Sequence, residues 1–253
     1  VLQAIAGQDS NDSTSVAAPA DYLTGIADGV KGMKFALPKE FLSEALAPDI
    51  AAALRHTADR LTALGATVEE VTMPELDKAL PAYYVISSAE ASSNLARFDG
   101  VKYGFRAQNF TDIHSLYKET RSQGFGAEVK RRILLGSYVL SAGYYDAYYK
   151  KALEVRALIK AAFDKVFEQY DAVLSPVAPT TAYKLGEKVD DPLAMYLGDV
   201  YTVPVNIAGL PSLSLPCGQD HEGLPIGLQL IGKPFGEAAL YRAGYTLEQD
   251  RIG

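Results

Sequence analysis

A catalytic nucleophile is the first chemistry to look for, and these 253 residues contain no complete nucleophilic motif. A serine hydrolase of the elbow type carries Gly-x-Ser-x-Gly where a strand turns into a helix, and that motif is absent. A cysteine enzyme needs a histidine that can approach its thiol, and Cys217 and His221 lie only four residues apart beside a Pro-Cys-Gly turn. We interpret Cys217 as an incidental residue that follows a strand.

The sequence also contains no recognisable motif for binding a metal ion or a phosphate group. The three histidines, His56, His114 and His221, do not have the spacing of a metal site. His56 is on the charged side of a predicted helix, which indicates a solvated side chain. No glycine-rich phosphate loop of either common type is present. The sequence therefore predicts that this chain binds no cofactor of its own.

Two adjacent arginines are the best candidates for binding an anion. Arg131 and Arg132 lie on a predicted helix between the apolar residues Val129 and Ile133. A guanidinium group presents a planar fork of donors that fits a carboxylate through two hydrogen bonds. The alternative is that both arginines are solvated or paired with Glu128 at the surface. The residues alone leave both interpretations open.

An acid in an apolar segment is the matching candidate for binding a cation. Asp199 interrupts the segment MYLGDVYTVPVNIAG, and a buried carboxylate needs a partner because an unpaired buried charge is costly. An ammonium group, a nearby arginine or a helix N-terminus would supply that partner, and a purely structural role is the alternative. Tyr83 and Tyr84 lie on another predicted helix, where core packing is the simplest interpretation.

Four further tyrosines, Tyr144, Tyr145, Tyr148 and Tyr149, form two pairs spaced by four residues on one helix. We expect them to pack against each other while their hydroxyl groups reach polar partners. The segment 202–216 (TVPVNIAGLPSLSLP) combines glycine and proline with apolar residues. Such a backbone approaches a neighbouring strand or a ligand closely, and its composition does not distinguish the two.

The elements that position these residues follow from the spacing of apolar side chains and from proline and glycine signals. Helices are predicted at residues 48–64, 76–95, 112–121, 127–141, 144–170 and 237–250. Strands are predicted at residues 34–37, 66–73, 172–175, 206–216 and 223–232, with Cys217 and Gly218 in the turn between the last two. Strands alternate with helices, so we expect an α/β fold with a mixed sheet covered by helices. Only about five short strands are visible, which predicts that the sheet lacks strands on its N-terminal side.

Composition excludes several classes of protein. The net charge of −7 and the pI near 5.1 argue against a surface that grips phosphate backbones directly. A single cysteine excludes an intrachain disulfide framework, which favours a reducing compartment such as the cytoplasm. No apolar run approaches the ~18 residues of a membrane span, and no secretory leader is visible.

Several runs resemble a known family. LSPVAPT at residues 174–180, VPVNIAGLPSLSLP at 203–216 and GLPIGLQLIG at 223–232 resemble the amidase-signature family in general, and DSTS at 12–15 adds to the match. KYGFR at residues 102–106 and KRRILLGSYVLSAGYYDAYY at 130–149 resemble, more narrowly, the glutaminase subunits of bacterial tRNA-dependent amidotransferases. The resemblance covers nearly the whole chain and implies that residues 1–253 are the C-terminal portion of a single amidase-signature domain.

The resemblance implies specific roles for residues. The family's catalytic triad, a serine, a second serine joined by a cis peptide and a lysine, lies in a Gly/Ser-rich part that precedes this portion. The chain alone is therefore expected to be inactive. The glutamine-binding residues of the family match Tyr83, Arg132 and Asp199. Arg132 would hold the α-carboxylate and Asp199 the α-ammonium group, while Tyr84 and Arg131 stay open as alternatives.

The resemblance also implies an assembly in the cytoplasm. Ammonia from glutamine would pass to the partner B subunit, which uses ATP and magnesium to amidate glutamate or aspartate on a mischarged tRNA. The small C subunit would stabilise the complex, and tRNA would bind mainly through the partner. Two other hypotheses remain: an amidase-signature hydrolase of some other amide, and a non-catalytic module that binds an amino acid or a protein. The sequence does not indicate whether the acceptor is glutamyl- or aspartyl-tRNA.

Overall fold

A computed structural model describes residues 1–18, 21–187 and 192–252. The chain divides into two compact units. The first unit combines Val1–Ala79 with Leu158–Gly253, and the second is the continuous segment Leu80–Ala157. The assignment of residues 1–253 to one portion of a single amidase-signature domain stays a prediction.

One mixed sheet forms the centre of the first unit. Among the described residues its five strands are β1 Lys34–Pro38, β2 Thr67–Val71, β3 Ala172–Pro176, β4 Ser212–Gln219 and β5 Pro225–Gly232. Their order across the sheet is β2-β1-β3-β5-β4. Strand β1 is parallel to β2 and β3, whereas β5 is antiparallel to both β3 and β4. The predicted α/β class with a mixed sheet is confirmed.

Helices surround the sheet and form the second unit. Along the described ranges the α-helices are α1 Leu2–Ile5, α2 Pro48–Ala63, α3 Ala79–Leu95, α4 Ile113–Gly124, α5 Ala127–Val139, α6 Lys151–Val166, α7 Pro192–Leu197, α8 Val203–Ala208 and α9 Glu237–Ile252. Short 3-10 helices occupy Lys39–Leu42 and Pro74–Lys78, and a π-helix occupies Tyr145–Lys150. In the part of the chain that the structure describes, no helix is long and apolar enough to cross a bilayer.

Burial of apolar side chains explains why the central strands form. Every residue of β3 is buried, as expected for a strand covered on both faces. Helix α2 begins with Pro48 at its first turn and buries Ile50, Leu54 and Leu61 at helical spacing. Contacts join α2 and α9 to strands of the sheet. The strands therefore lie in a core that helices cover.

The predicted strand at residues 206–216 is wrong in its first part. Residues 206–208 end helix α8, which begins at Val203 with Pro204 in its first turn. Gly209 then adopts a left-handed conformation with φ of 71° and terminates that helix. Strand β4 begins only at Ser212, and it includes Cys217 and Gly218, which were predicted to lie in the following turn.

A buried amide links the sheet to the segment that follows Asp199. Gln229 on β5 is only 2% exposed. Its side-chain Nε2 donates to the backbone oxygen of Tyr201 at 2.8 Å, to that of Pro176 at 3.1 Å and to Ser175 Oγ at 3.2 Å. Because a buried polar group needs partners, this amide fixes the Tyr201 backbone over the sheet.

In the second unit, a glycine brings helices α3 and α5 together. A Cβ atom at Gly136 on α5 would lie 2.0 Å from the backbone oxygen of Ser88 on α3. The hydroxyl groups of Ser92 and Ser137 meet 3.0 Å apart at the next positions along the two helices. Only glycine permits this approach, so Gly136 sets the spacing at which α5 presents its other residues to α3.

We expect Gly136→Ala to destabilise the chain, since the added methyl group clashes with backbone that cannot move away cheaply. The expected loss is ~1–3 kcal/mol of unfolding free energy, the range for overpacking, despite the better helix propensity of alanine. Urea denaturation measures it. Gly143→Ala is the matched control because a Cβ there meets nothing within 4 Å. Equal stability of both variants would contradict the close packing.

We also expect Gln229→Leu to destabilise the chain, because the Tyr201 carbonyl would lose the donor that Gln229 supplies. The expected cost is ~1–3 kcal/mol of unfolding free energy, measured by the midpoint of urea denaturation. Gln169→Leu, at an exposed position, is the control. A stability of Gln229→Leu within ~0.5 kcal/mol of wild type would show that water replaces the lost donor.

Candidate functional site

One carboxylate holds both candidate arginines on helix α5. Glu128 lies in the first turn of the helix, three and four residues before Arg131 and Arg132. Its Oε1 accepts a hydrogen bond from Arg132 Nε at 2.9 Å, and its Oε2 accepts one from Arg131 Nη1. Both arginines therefore pair with Glu128, whereas anion binding by either arginine stays a prediction. This pairing fixes the orientation of Arg132. Whether Arg132 can also bind an anion depends on its other contacts.

Arg132 differs from Arg131 in its surroundings. The Arg132 side chain is 30% exposed, whereas that of Arg131 is 51% exposed. The Arg132 guanidinium carbon lies over the ring of Tyr84, 5.5 Å from its centroid, which is cation–π geometry. Partial burial alone would lower the pKa of Arg132, but hydrogen bonds to Glu128 and Tyr83 outweigh it and raise that pKa. Arg132 is thus the more enclosed and the more firmly positioned cation.

The two tyrosines of helix α3 contact Arg132 in different ways. The rings of Tyr83 and Tyr84 meet edge to face with centroids 5.2 Å apart. Tyr84 lies beneath the guanidinium plane, and Tyr83 contributes to the raised pKa of Arg132. The second unit therefore brings together both tyrosines, Arg132 and Glu128. The packing of Gly136 against Ser88 places α5 close enough to α3 for these contacts.

This arrangement suits recognition of a planar anion. Glu128 occupies the Nε side of the guanidinium, so the Nη groups form the edge that can meet a carboxylate. The Tyr84 ring limits rotation of the guanidinium, which reduces the entropy lost on binding. A lysine at this position would keep the charge but could neither stack in the same way nor present two parallel donors.

Asp199 lies in the first unit, in the turn between α7 and α8. Its backbone nitrogen donates to Tyr196 O at 3.1 Å, and its backbone oxygen accepts from Val203 N at 2.9 Å. The expectation of a buried carboxylate is wrong, because Asp199 is exposed while the apolar residues after it are buried within α8. The local sequence is apolar because α8 packs inward, and the acid lies on the turn before it.

A cavity of about 400 Å³ opens beside Asp199 in the first unit. Its walls include the segment 177–183 after β3, Ile226 and Gly227 on β5, and Met195 and Gly198 from the Asp199 turn. Most of these side chains are apolar or small, and the carboxylate of Asp199 is the acidic group among them. A ligand there would meet an apolar wall and one negative charge, which suits an alkyl chain that carries an ammonium group.

The cysteine and the histidines lie outside both candidate sites. Cys217 lies on β4 and is 9% exposed, and His56 is exposed on α2. The ring of His221 bonds through Nδ1 to Asp49 Oδ2 at 2.7 Å, a contact that raises the pKa of His221 and lowers the pKa of Asp49. Within the described ranges, no group of three or more His, Cys, Asp or Glu residues could hold a metal ion.

The tyrosine pairs predicted on one helix are confirmed as packing pairs. Ring centroids lie 5.9 Å apart for Tyr144 and Tyr148, and 5.3 Å apart for Tyr145 and Tyr149. The helix begins as a π-helix, a form frequent at functional sites. A hydrogen bond with Tyr144 raises the pKa of Tyr138 to about 12.

Sequence reasoning missed three contacts around these sites. It did not foresee the Tyr84 stack on Arg132, the Gln229 bonds to Tyr201, or the bond between His221 and Asp49. The last joins residues 172 positions apart, so no local pattern could have indicated it. The stack on Arg132 had a partial signal, because two tyrosines and two arginines were each noted on predicted helices.

Comparison with known proteins identifies the family. The family model described as Amidase matches residues 1–241. The A subunit of the glutamyl-tRNA(Gln) amidotransferase of Agathobacter rectalis is 58% identical over 252 residues, which are 99% of this chain and 50% of that protein. The protein of the same name from Staphylococcus aureus strain MRSA252 is 56% identical over 249 residues, or 98% of this chain and 51% of the relative.

A solved structure agrees with this similarity. The crystal structure of the A subunit of glutamyl-tRNA(Gln) amidotransferase from Thermotoga maritima superposes with a TM-score of 0.75 at 39% identity. The match covers 96% of this chain and 48% of that one. The chain thus spans about half the length of the relatives it matches. Since the family model matches 241 residues from the start of the chain, the chain belongs to the amidase family.

Proposed function

We propose that this chain is the C-terminal portion of the glutaminase subunit of a tRNA-dependent amidotransferase, and that it recognises glutamine. The support is 56–58% identity to the A subunits of glutamyl-tRNA(Gln) amidotransferases. The structural observation that carries the proposal is Arg132, held by Glu128 and enclosed by Tyr83 and Tyr84. A guanidinium in such a frame is organised for one carboxylate before the substrate arrives.

Arg132 and Asp199 each carry a charge opposite to one of the two groups at the amino-acid end of glutamine. Arg132 would bind the α-carboxylate with its Nη groups while Tyr83 orders the guanidinium. Asp199 would bind the α-ammonium group beside the apolar cavity wall. Glutamine would then extend its side-chain amide toward a nucleophile. Binding at both charged groups discriminates against amides that lack them, because a stranded charge on the protein is costly.

The chemical step would use residues outside these 253. A serine hydroxyl would attack the side-chain carbonyl, and ammonia would leave with a proton delivered by the Ser–cis-Ser–Lys relay. Water would then release glutamate from the acyl-enzyme. This acyl transfer needs a nucleophile, a base and oxyanion donors in one geometry. In this proposal the present chain supplies recognition, and the other portion of the subunit supplies the reaction.

The ammonia would be used by a partner. In the proposed cytoplasmic complex, the B subunit would use ATP and magnesium to activate glutamate or aspartate on mischarged tRNA, and the C subunit would stabilise the assembly. Most tRNA contacts would belong to the partner, which agrees with the net charge of −7 of this chain. A glutaminase that releases ammonia for another subunit has no need of a metal or nucleotide of its own.

We expect Arg132→Ala in the complete subunit to lower kcat/KM for glutamine by ~1–3 kcal/mol in transition-state binding, since a substrate carboxylate would lose its partner. This corresponds to about 5- to 150-fold. Arg132→Lys is expected to be intermediate, because lysine keeps the charge without the planar fork or the stack on Tyr84. Glutamine-dependent ammonia release measures both variants.

Arg131→Ala is the matched control, because Arg131 shares the Glu128 carboxylate but is more exposed. Its loss should stay within about twofold, the scale of an exposed ion pair. A larger loss with Arg131→Ala than with Arg132→Ala would move the site to the neighbouring arginine.

The folded chain alone should release no ammonia from glutamine. Release of ammonia would show that a nucleophile lies within these 253 residues.

We expect Asp199→Asn in the complete subunit to weaken glutamine use by ~1–3 kcal/mol, because the α-ammonium group would lose its counter-charge. With 4-carbamoylbutanoate, which is glutamine without the α-amino group, the same substitution should cost little. Steady-state kinetics with both substrates measure this coupling. Asp164→Asn, which breaks only an exposed pair with Lys160, is the control. An equal loss on both substrates would contradict an ammonium-binding role.

A further inference from the structure

Positive charge is concentrated in the second unit. Residues 80–157 contain 11 Lys and Arg and seven Asp and Glu, a net charge of +4, although the whole chain has a net charge of −7. The rest of the chain therefore has a net charge of −11. A segment with this contrast attracts an acidic partner and orients it before contact.

Part of this charge surrounds a groove between helices α4 and α5, which we call the basic groove. Its cations are Lys118, Arg121 and Lys130, and its apolar residues are Phe125, Ile133 and Leu134. The groove is open and has a volume of about 330 Å³. Leu134 is 72% exposed and extends the apolar surface of the groove.

Two cations of the groove, Lys130 and Arg121, also contact the C-terminal end of helix α4. Lys130 Nζ donates to the backbone oxygen of Ser122 at 2.6 Å, in the last turn of α4. The Arg121 guanidinium lies over the Phe125 ring, 5.2 Å from its centroid. Both cations therefore also stabilise the C-terminal end of α4. This role accounts for neither Lys118 nor the exposed Leu134.

Acids near the groove are engaged elsewhere. No Asp or Glu lines the basic groove among the described residues. Glu119 accepts a hydrogen bond from Gln123 at 3.2 Å on the same helix, and Glu128 binds Arg131 and Arg132. No carboxylate of the described lining therefore pairs with the cations inside the groove, where they lie beside apolar side chains.

We propose that the basic groove is a docking site for an acidic amphipathic segment of a partner protein. An apolar side chain of that segment would contact Phe125, Ile133 and Leu134, while its carboxylates meet Lys118 and the neighbouring cations. This is the pattern by which an amphipathic helix lies in a groove. Nucleic acid fits less well, because the apolar residues of the groove offer a phosphate backbone no partner.

The test uses fluorescence anisotropy with the purified chain and three labelled probes. The first is a 12-residue peptide with leucines along one helical face and glutamates beside them, the second is a scrambled peptide of equal composition, and the third is a 12-nucleotide oligouridine. We expect the first peptide to bind at least about tenfold more tightly than either other probe. No saturable binding, equal binding of the scrambled peptide, or tighter binding of oligouridine would overturn the proposal.

Substitutions locate the binding. Leu134→Glu and Lys118→Glu, both at exposed positions, should each weaken the acidic peptide at least about fivefold. A peptide in which lysines replace the glutamates should recover binding to Lys118→Glu. Leu158→Glu and Lys160→Glu on α6 are matched controls that should change the affinity less than about twofold. Equal effects of groove and control variants would show non-specific charge attraction and overturn the docking site. Circular dichroism checks that each variant is folded.

Discussion

The Gln229 side-chain amide is enclosed by protein, and its donors serve acceptors from two separate segments of the first unit. Ser175 and Pro176 lie on β3, next to β5 in the sheet, whereas Tyr201 lies between α7 and α8. This amide is therefore the point at which the sheet fixes the loop that contains Asp199. A buried polar group without a hydrogen-bond partner costs free energy. These hydrogen bonds therefore hold the loop in one position.

The second unit uses a different device for the same purpose. Arg132 is positioned by an acid on its own helix, by aromatic rings on another helix, and by a glycine that lets the two helices approach. Each contact is modest, but together they restrict the side chain before any ligand is bound. A long flexible cation becomes a fixed donor in this way, which is what recognition of a carboxylate requires.

Much of the fold could be predicted from local patterns, and the failures have physical reasons. The strands at β1, β2, β3 and β5 and most helices followed from periodicity and from proline and glycine signals. Helix α8 was missed because its short apolar sequence also suits a strand, and burial decided between them. Asp199 was expected to be buried because its neighbours in sequence are apolar. Those neighbours are buried in α8, but Asp199 lies on the turn before the helix and is exposed. Gln229 could not be found, since its partners lie 28 to 54 residues away.

Strand β2 is the outer strand on one side of the described sheet, and such an edge offers unpaired backbone groups to any other strand. Its solvent-exposed residues include Glu69 and Glu70, and the Tyr170 hydroxyl holds Glu69 through a bond of 2.6 Å. Two molecules that paired along this edge would bring their carboxylates against each other. An acidic edge of this kind opposes pairing of β2 with the same strand of a second molecule, because like charges would meet.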